Sequence, residues 1–324
     1  MANARLPIHR MTHRKTLKLE LDCNSVSTPP EIAYSAQPTL SQKIPGAEFE
    51  LAATPVGPDN PPWGVVAAVI TLITSIALLA LVPNLFVLPY VAYHYQGSPA
   101  PTEAALLANK TFVFLFVTGW VPAHLLTLFL IWAVATKLGK FSVRDVFGFS
   151  WPRDFGPWKS VGLAISLFIV AILVTSWFGA QPTDLDKILQ SSRAAALVMA
   201  LIAIATAPLV EEMIYRGILY SALQRVIGRL FAVFVVAAMF AGLHFWQYRQ
   251  NIGAILSISL LSVVLTTIRA RTGRLLPCFM IHLVFNGIQS LIIVFEPYLR
   301  ALFEHWRPPT PTTGALTHLL HFLG

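Results

Sequence analysis

Seven long apolar runs dominate this chain and decide what it can fold into. They lie near residues 63–93, 111–136, 160–179, 194–226, 230–246, 252–268 and 275–296. Each reaches the roughly 17–25 residues that a helix needs to cross the ~30 Å hydrocarbon core of a bilayer. Lipid offers the backbone no hydrogen-bond partner, so each run must satisfy its own peptide groups as a helix. The expected fold class is all-α: a polytopic transmembrane helical bundle of about seven spans. Pro83 and Pro89 interrupt the first run, which leaves room for a kink or an eighth span. Charged residues make up only 12% of the 324, about half the share in a soluble domain. The chain is thus expected to be an integral, multi-pass membrane protein, in the plasma (inner) membrane if the source is bacterial.

The net charge of +8 points to loop placement around a bilayer rather than to nucleic acid. With the N-terminus inside, the inner segments hold 17 of the 23 Lys and Arg and the outer segments 6, which favours that orientation. Two cysteines, Cys23 and Cys278, supply neither a disulfide framework nor a zinc-type cluster. No internal repeat is visible, so a transporter built from inverted halves gains no support.

Four regions follow. Residues 1–62, rich in Pro, Ser, Thr and Ala, read as a disordered basic N-terminal tail. Residues 63–193 hold the first three spans and a polar connector at 137–159. Residues 194–296 form a core of four spans. Residues 297–324 are a C-terminal tail, in which 314–323 has the spacing of a short interfacial helix.

The core spans carry polar groups that lipid penalises. In the fourth, 17 uncharged residues (194–210) lead into Glu211 and Glu212, with Arg216 four places further on. The fifth carries His244, and the seventh carries His282 and Asn286. A charge at the bilayer centre costs roughly 2.5–3.5 kcal/mol even on lenient scales, so such groups are functional by default. Residues four apart share a helix face, which pairs Glu212 with Arg216 and His282 with Asn286. Glu211 and Glu212 stand about 100° apart around the axis. One division of labour follows: Glu212 pairs with Arg216, and Glu211 is left to face a cavity. If the fourth helix runs unbroken to about 226, rise arithmetic brings Glu211, His244, His282 and Asn286 to similar depth. His124, in the second span, reads as an ordinary interhelical contact.

Three motifs stand in order here: Glu211-Glu212-Met-Ile-Tyr-Arg216, Phe240-Ala-Gly-Leu-His244 and His282-Leu-Val-Phe-Asn286. They resemble the CPBP (CAAX protease and bacteriocin-processing) family of intramembrane proteases, which includes the type II, Rce1-like CAAX prenyl endopeptidases. The resemblance covers residues 194 to 296. It implies an intramembrane glutamic endopeptidase in which Glu211 activates a water with help from His244. His282 and Asn286 would then stabilise the oxyanion, with Glu212 and Arg216 as a structural ion pair. The implied partners are the lipid bilayer and a peptide or lipidated protein substrate, with no cofactor and no metal. Two alternatives remain open: a zinc-dependent membrane protease using the Glu and His side chains as ligands, and a non-catalytic scaffold, immunity-type protein or carrier using the same polar cluster.

Overall fold

A computed structural model describes residues 55–179 and 191–305. The short amphipathic segment expected at 314–323 lies outside these residues. Seven helices among those described are long and apolar enough to cross a membrane. The first, α1 (Val65–His94), contains both Pro83 and Pro89 and is unbroken, so the run makes one span and not two. The second span is divided: α3 (Lys110–Thr118) and α4 (Trp120–Thr136) meet at Gly119, with the short α2 (Glu103–Ala108) ahead of them. A Cβ on Gly119 would sit 2.7 Å from the Pro83 backbone, so the glycine lets α1 and the second span touch. After α5 (Val143–Phe147), α6 (Pro157–Phe178) forms the third span.

The fourth span is built in pieces. Helices α7 (Arg193–Ala205) and α8 (Ala207–Glu212) are followed by a π-helical turn (Met213–Leu219) and by α9 (Tyr220–Ile227). The last three spans are α10 (Arg229–Tyr248), α11 (Ile252–Thr272) and α12 (Leu276–His305). The last of these runs on into the region read from sequence as a C-terminal tail.

Several hydroxyl side chains within the spans bond back to their own helix, as Thr71 does to the Ala67 carbonyl at 2.7 Å and Ser257 to that of Gly253 at 2.8 Å. That removes the penalty of a free hydroxyl in lipid. Outward faces are apolar. Trp158 and Trp177, near the two ends of α6, are 85% and 86% exposed. Nineteen residues of rise separate them by about 28 Å, close to the thickness of the hydrocarbon core, as expected of an interfacial aromatic pair.

Residues 55–63 differ from the sequence reading, which left positions up to 62 in a disordered tail. They dock on one end of the bundle. Trp63 donates from Nε1 to the Ile218 carbonyl at 3.0 Å. Arg269 donates to Asp59 at 3.0 Å and to the Pro58 carbonyl at 2.7 Å, Gln224 donates to Asp59 at 3.1 Å, and Arg225 donates to the Pro61 carbonyl at 3.1 Å. The connector is likewise part of the fold: Phe147 is buried against Trp63, with ring centroids 6.0 Å apart.

Burial disfavours the charged form of Asp59, but the hydrogen bond from Gln224 and the charges of Arg269 and Arg229 outweigh it and hold the carboxyl below its usual range. A lowered carboxyl pKa stabilises above the unfolded value, ~3.9, and that contribution is lost as pH falls through the folded value. The strap should therefore stay docked across the neutral range and loosen only in strong acid. Asp59→Asn should expose the segment to limited proteolysis at neutral pH; a digestion pattern identical to wild type would contradict this anchoring.

Candidate active site

The site begins at the break between α7 and α8. The helix is interrupted at Thr206, whose φ widens to −112° while ψ stays at −37° in the right-handed region, and Pro208 stands in the first turn of α8, where its missing N–H costs no hydrogen bond. Glu211 and Glu212 end α8. The π turn then widens the helix, and π-bulges of this kind gather at functional sites. Its Gly217 packs on Phe147, whose ring carbon would lie 2.6 Å from an added Cβ.

Arg216, within the π turn, is fully buried. A guanidinium has five N–H donors and no way to discharge itself. Here Nη1 donates to Glu212 at 2.9 Å, Nε to the Thr266 hydroxyl at 3.1 Å, and Nη2 to the Ser262 hydroxyl at 2.7 Å and carbonyl at 3.2 Å. The Phe240 ring lies 4.6 Å from the guanidinium carbon, within cation–π range. Ser262 and Thr266 belong to the sixth span, from which the sequence reading took no site residue. Their spacing, a hydroxyl pair four apart on one face of an apolar helix, was the available signal.

Glu212 is fully buried and shares one oxygen, Oε1, between Arg216 and His282, the latter at 2.8 Å from Nδ1. Its other oxygen, Oε2, has no protein partner. A carboxylate accepts, so His282 carries its proton on Nδ1. Its second nitrogen, Nε2, is 3.7 Å from Glu211 Oε2, beyond hydrogen-bond length. Glu211 is 25% exposed. The two carboxylates thus occupy different environments, yet both reach the same imidazole from positions about 100° apart on the helix, because each has a long side chain.

His244 is tied to its own helix: Nδ1 donates to the Phe240 carbonyl at 2.8 Å, which leaves Nε2 with a lone pair. The structure links His244 to the other groups through the Phe240 ring, 4.6 Å from His244 and 6.1 Å from His282 between centroids. Phe240 also meets Tyr215 edge to face at 5.0 Å. Asn286 donates from Nδ2 to the Ala203 carbonyl at 3.3 Å, joining the seventh span to α7 just before the break. Hence Glu211, Glu212, Arg216 and His282 form one contact network, His244 joins it through an aromatic ring, and Asn286 borders it.

This arrangement can take up and hand on a proton through a part-exposed carboxylate and an imidazole with a free lone pair. It also offers an amide N–H that can donate to a developing negative charge, with a second imidazole beside the part-exposed carboxylate. Among the described residues, no group of three or more His, Cys, Asp or Glu side chains is placed to hold a metal ion.

Residues 193–288 match the family model described as type II CAAX prenyl endopeptidase Rce1-like. The match spans all three motifs and leaves the first three membrane spans outside it. It agrees with the CPBP resemblance drawn from those motifs and, with seven apolar helices, supports an integral multi-pass membrane protein. No curated protein and no solved structure matches the chain.

Removing one partner of a buried ion pair costs about 3–5 kcal/mol, since the other charge is stranded. Arg216→Ala should therefore sharply lower the yield of folded protein and its melting temperature in detergent. A variant that melts with the wild type would refute the clamp.

Proposed function

We propose that this protein is an intramembrane endopeptidase of the Rce1-like type, hydrolysing a peptide bond in a membrane-associated or lipidated protein. The single observation that carries this reading is His282 held between two carboxylates, hydrogen-bonded to the buried Glu212 and facing the part-exposed Glu211. Hydrolysis of an amide needs a base for water and donors for the oxyanion. Residues of both kinds occur together here, inside the stretch matched by a family of endopeptidases.

In the proposed mechanism Glu211 takes a proton from a water, assisted by the Nε2 lone pair of His244. The oxygen attacks the scissile carbonyl carbon. The resulting oxyanion accepts from the Asn286 amide N–H and is stabilised by the His282 ring that Glu212 orients. The C–N bond then breaks, and the leaving amine takes the proton that Glu211 removed from water. Glu212 and Arg216 do not touch the reacting atoms in this scheme; they hold His282 in orientation. No metal takes part, and the substrate's lipid or apolar segment enters from the bilayer.

Terminus profiling of membranes with and without an intact Glu211 identifies the substrate and tests the reaction together. Glu211→Gln should lower cleavage by roughly 10²–10⁴-fold, the usual share of a general base, with the protein level unchanged. Full activity in that variant would end the proposal. Binding of a peptide without cleavage would favour a scaffold or carrier. Loss of cleavage on exhaustive chelation, restored by zinc, would favour the metalloprotease.

A further inference from the structure

His124 lies outside the matched stretch, on α4 of the second span. It is buried, 2% exposed, with its ring edge-on to Trp120 at 6.1 Å. Its Nδ1 is 2.6 Å from the Thr206 hydroxyl. That hydroxyl also lies 3.4 Å from the Ile202 carbonyl, to which it can donate, so its lone pair is available to an Nδ1–H of His124.

Thr206 is not an ordinary helix residue. Its N–H bonds back to the Ile202 carbonyl, closing α7, and its carbonyl takes the Val210 N–H, opening α8; both bonds are 3.0 Å. Between them φ of Thr206 widens to −112°, the one interruption between the two helical pieces. Thr206 is thus the joint at the start of α8, a six-residue helix that carries Glu211 near its end and is held at its other end by the Arg216–Glu212 pair. At a side-chain radius of about 5–6 Å, a 20° turn of such a helix moves the carboxylate by about 2 Å. A misplacement of about 1 Å can cost on the order of 10² in rate.

The geometry points to His124 as a positioning residue for Glu211, acting through Thr206: the second span fixes the joint from which the proposed base projects. This inference rests on the endopeptidase reading for its kinetic consequence but not for its structural one. It adds a residue from the N-terminal spans to a site otherwise made wholly from the last four.

The test compares His124→Leu, His124→Asn, Thr206→Val and the His124→Leu/Thr206→Val double variant in the full-length protein. An asparagine amide can donate from where Nδ1 stood; leucine cannot. Two readouts are taken. One is kcat and KM on a farnesylated CAAX reporter peptide in detergent. The other is the rate of Glu211 modification by dicyclohexylcarbodiimide, followed by mass spectrometry, which needs no turnover.

The leucine and valine variants should lose about 10- to 100-fold in kcat with KM unchanged. The double variant should be no worse than either single one, because coupled residues are non-additive. The asparagine variant should recover most of the rate. The Glu211 modification rate should shift in the leucine and valine variants and return in the asparagine variant. If leucine does not fold, the asparagine and valine variants still decide. Wild-type kinetics and labelling in Thr206→Val, or an asparagine variant as impaired as leucine, would overturn the inference. If the wild-type chain cleaves nothing in a Glu211-dependent way, the endopeptidase reading fails on the first readout, and the labelling alone decides on His124.

Discussion

A guanidinium sealed inside a membrane bundle governs this architecture. Arg216 cannot shed its charge, and lipid supplies nothing to solvate it. Its donors must therefore be met by protein. The fourth span provides Glu212, the sixth provides Ser262 and Thr266, and the fifth lays Phe240 across the guanidinium face. Through Glu212 the seventh span is drawn in as well, because His282 donates to the same carboxylate oxygen. One buried cation thus fixes the mutual placement of four spans. A buried ion pair is weak evidence for stability as such; here it gathers groups from four spans around one charge.

One stretch of irregular backbone lies beside that charge. The fourth span changes from α to π geometry beside Arg216, and a π turn leaves its carbonyls out of register with the helix. Such a defect is tolerated in a membrane only where protein covers it. The docked segment at 55–63 supplies part of that cover, since Trp63 donates to the Ile218 carbonyl within the π turn. Phe147 from the connector packs on Gly217 of the same turn. The strap and the connector are thus structural parts of the site's support, although neither comes near the polar cluster in sequence.

Much of the fold was legible beforehand. Hydropathy reveals spans because a bilayer demands long apolar helices, and the seven runs correspond to the seven observed helices with small shifts at their ends. The division of Glu211 from Glu212 was also legible, since helical geometry separates adjacent residues and an acid four places before an arginine shares its face. The role of Pro83 and Pro89 was not, because a proline can kink, split or be absorbed by a helix, and neighbouring spans decide which. Asp59, Trp63 and Arg269 were missed for a related reason. Their partners lie more than a hundred and fifty residues away, and nothing local in a Pro-rich stretch reveals a distant carbonyl or guanidinium. Phe240 stood in a motif, but its place among Arg216, Tyr215, His244 and His282 is a property of packing.

By itself the sequence determined that this is a helical membrane protein of about seven spans, and which ionisable groups sit in its apolar spans. Those properties follow from short-range periodicity and from the cost of charge in lipid, and both are written locally along the chain. Only the tertiary structure decided which carboxylate meets which imidazole, that the sixth span completes the Arg216 clamp, and that His124 of the second span meets the Thr206 hydroxyl. Such pairings depend on how separate helices rotate and slide against one another. That is set by the joint satisfaction of buried polar groups across the bundle, which no single segment encodes.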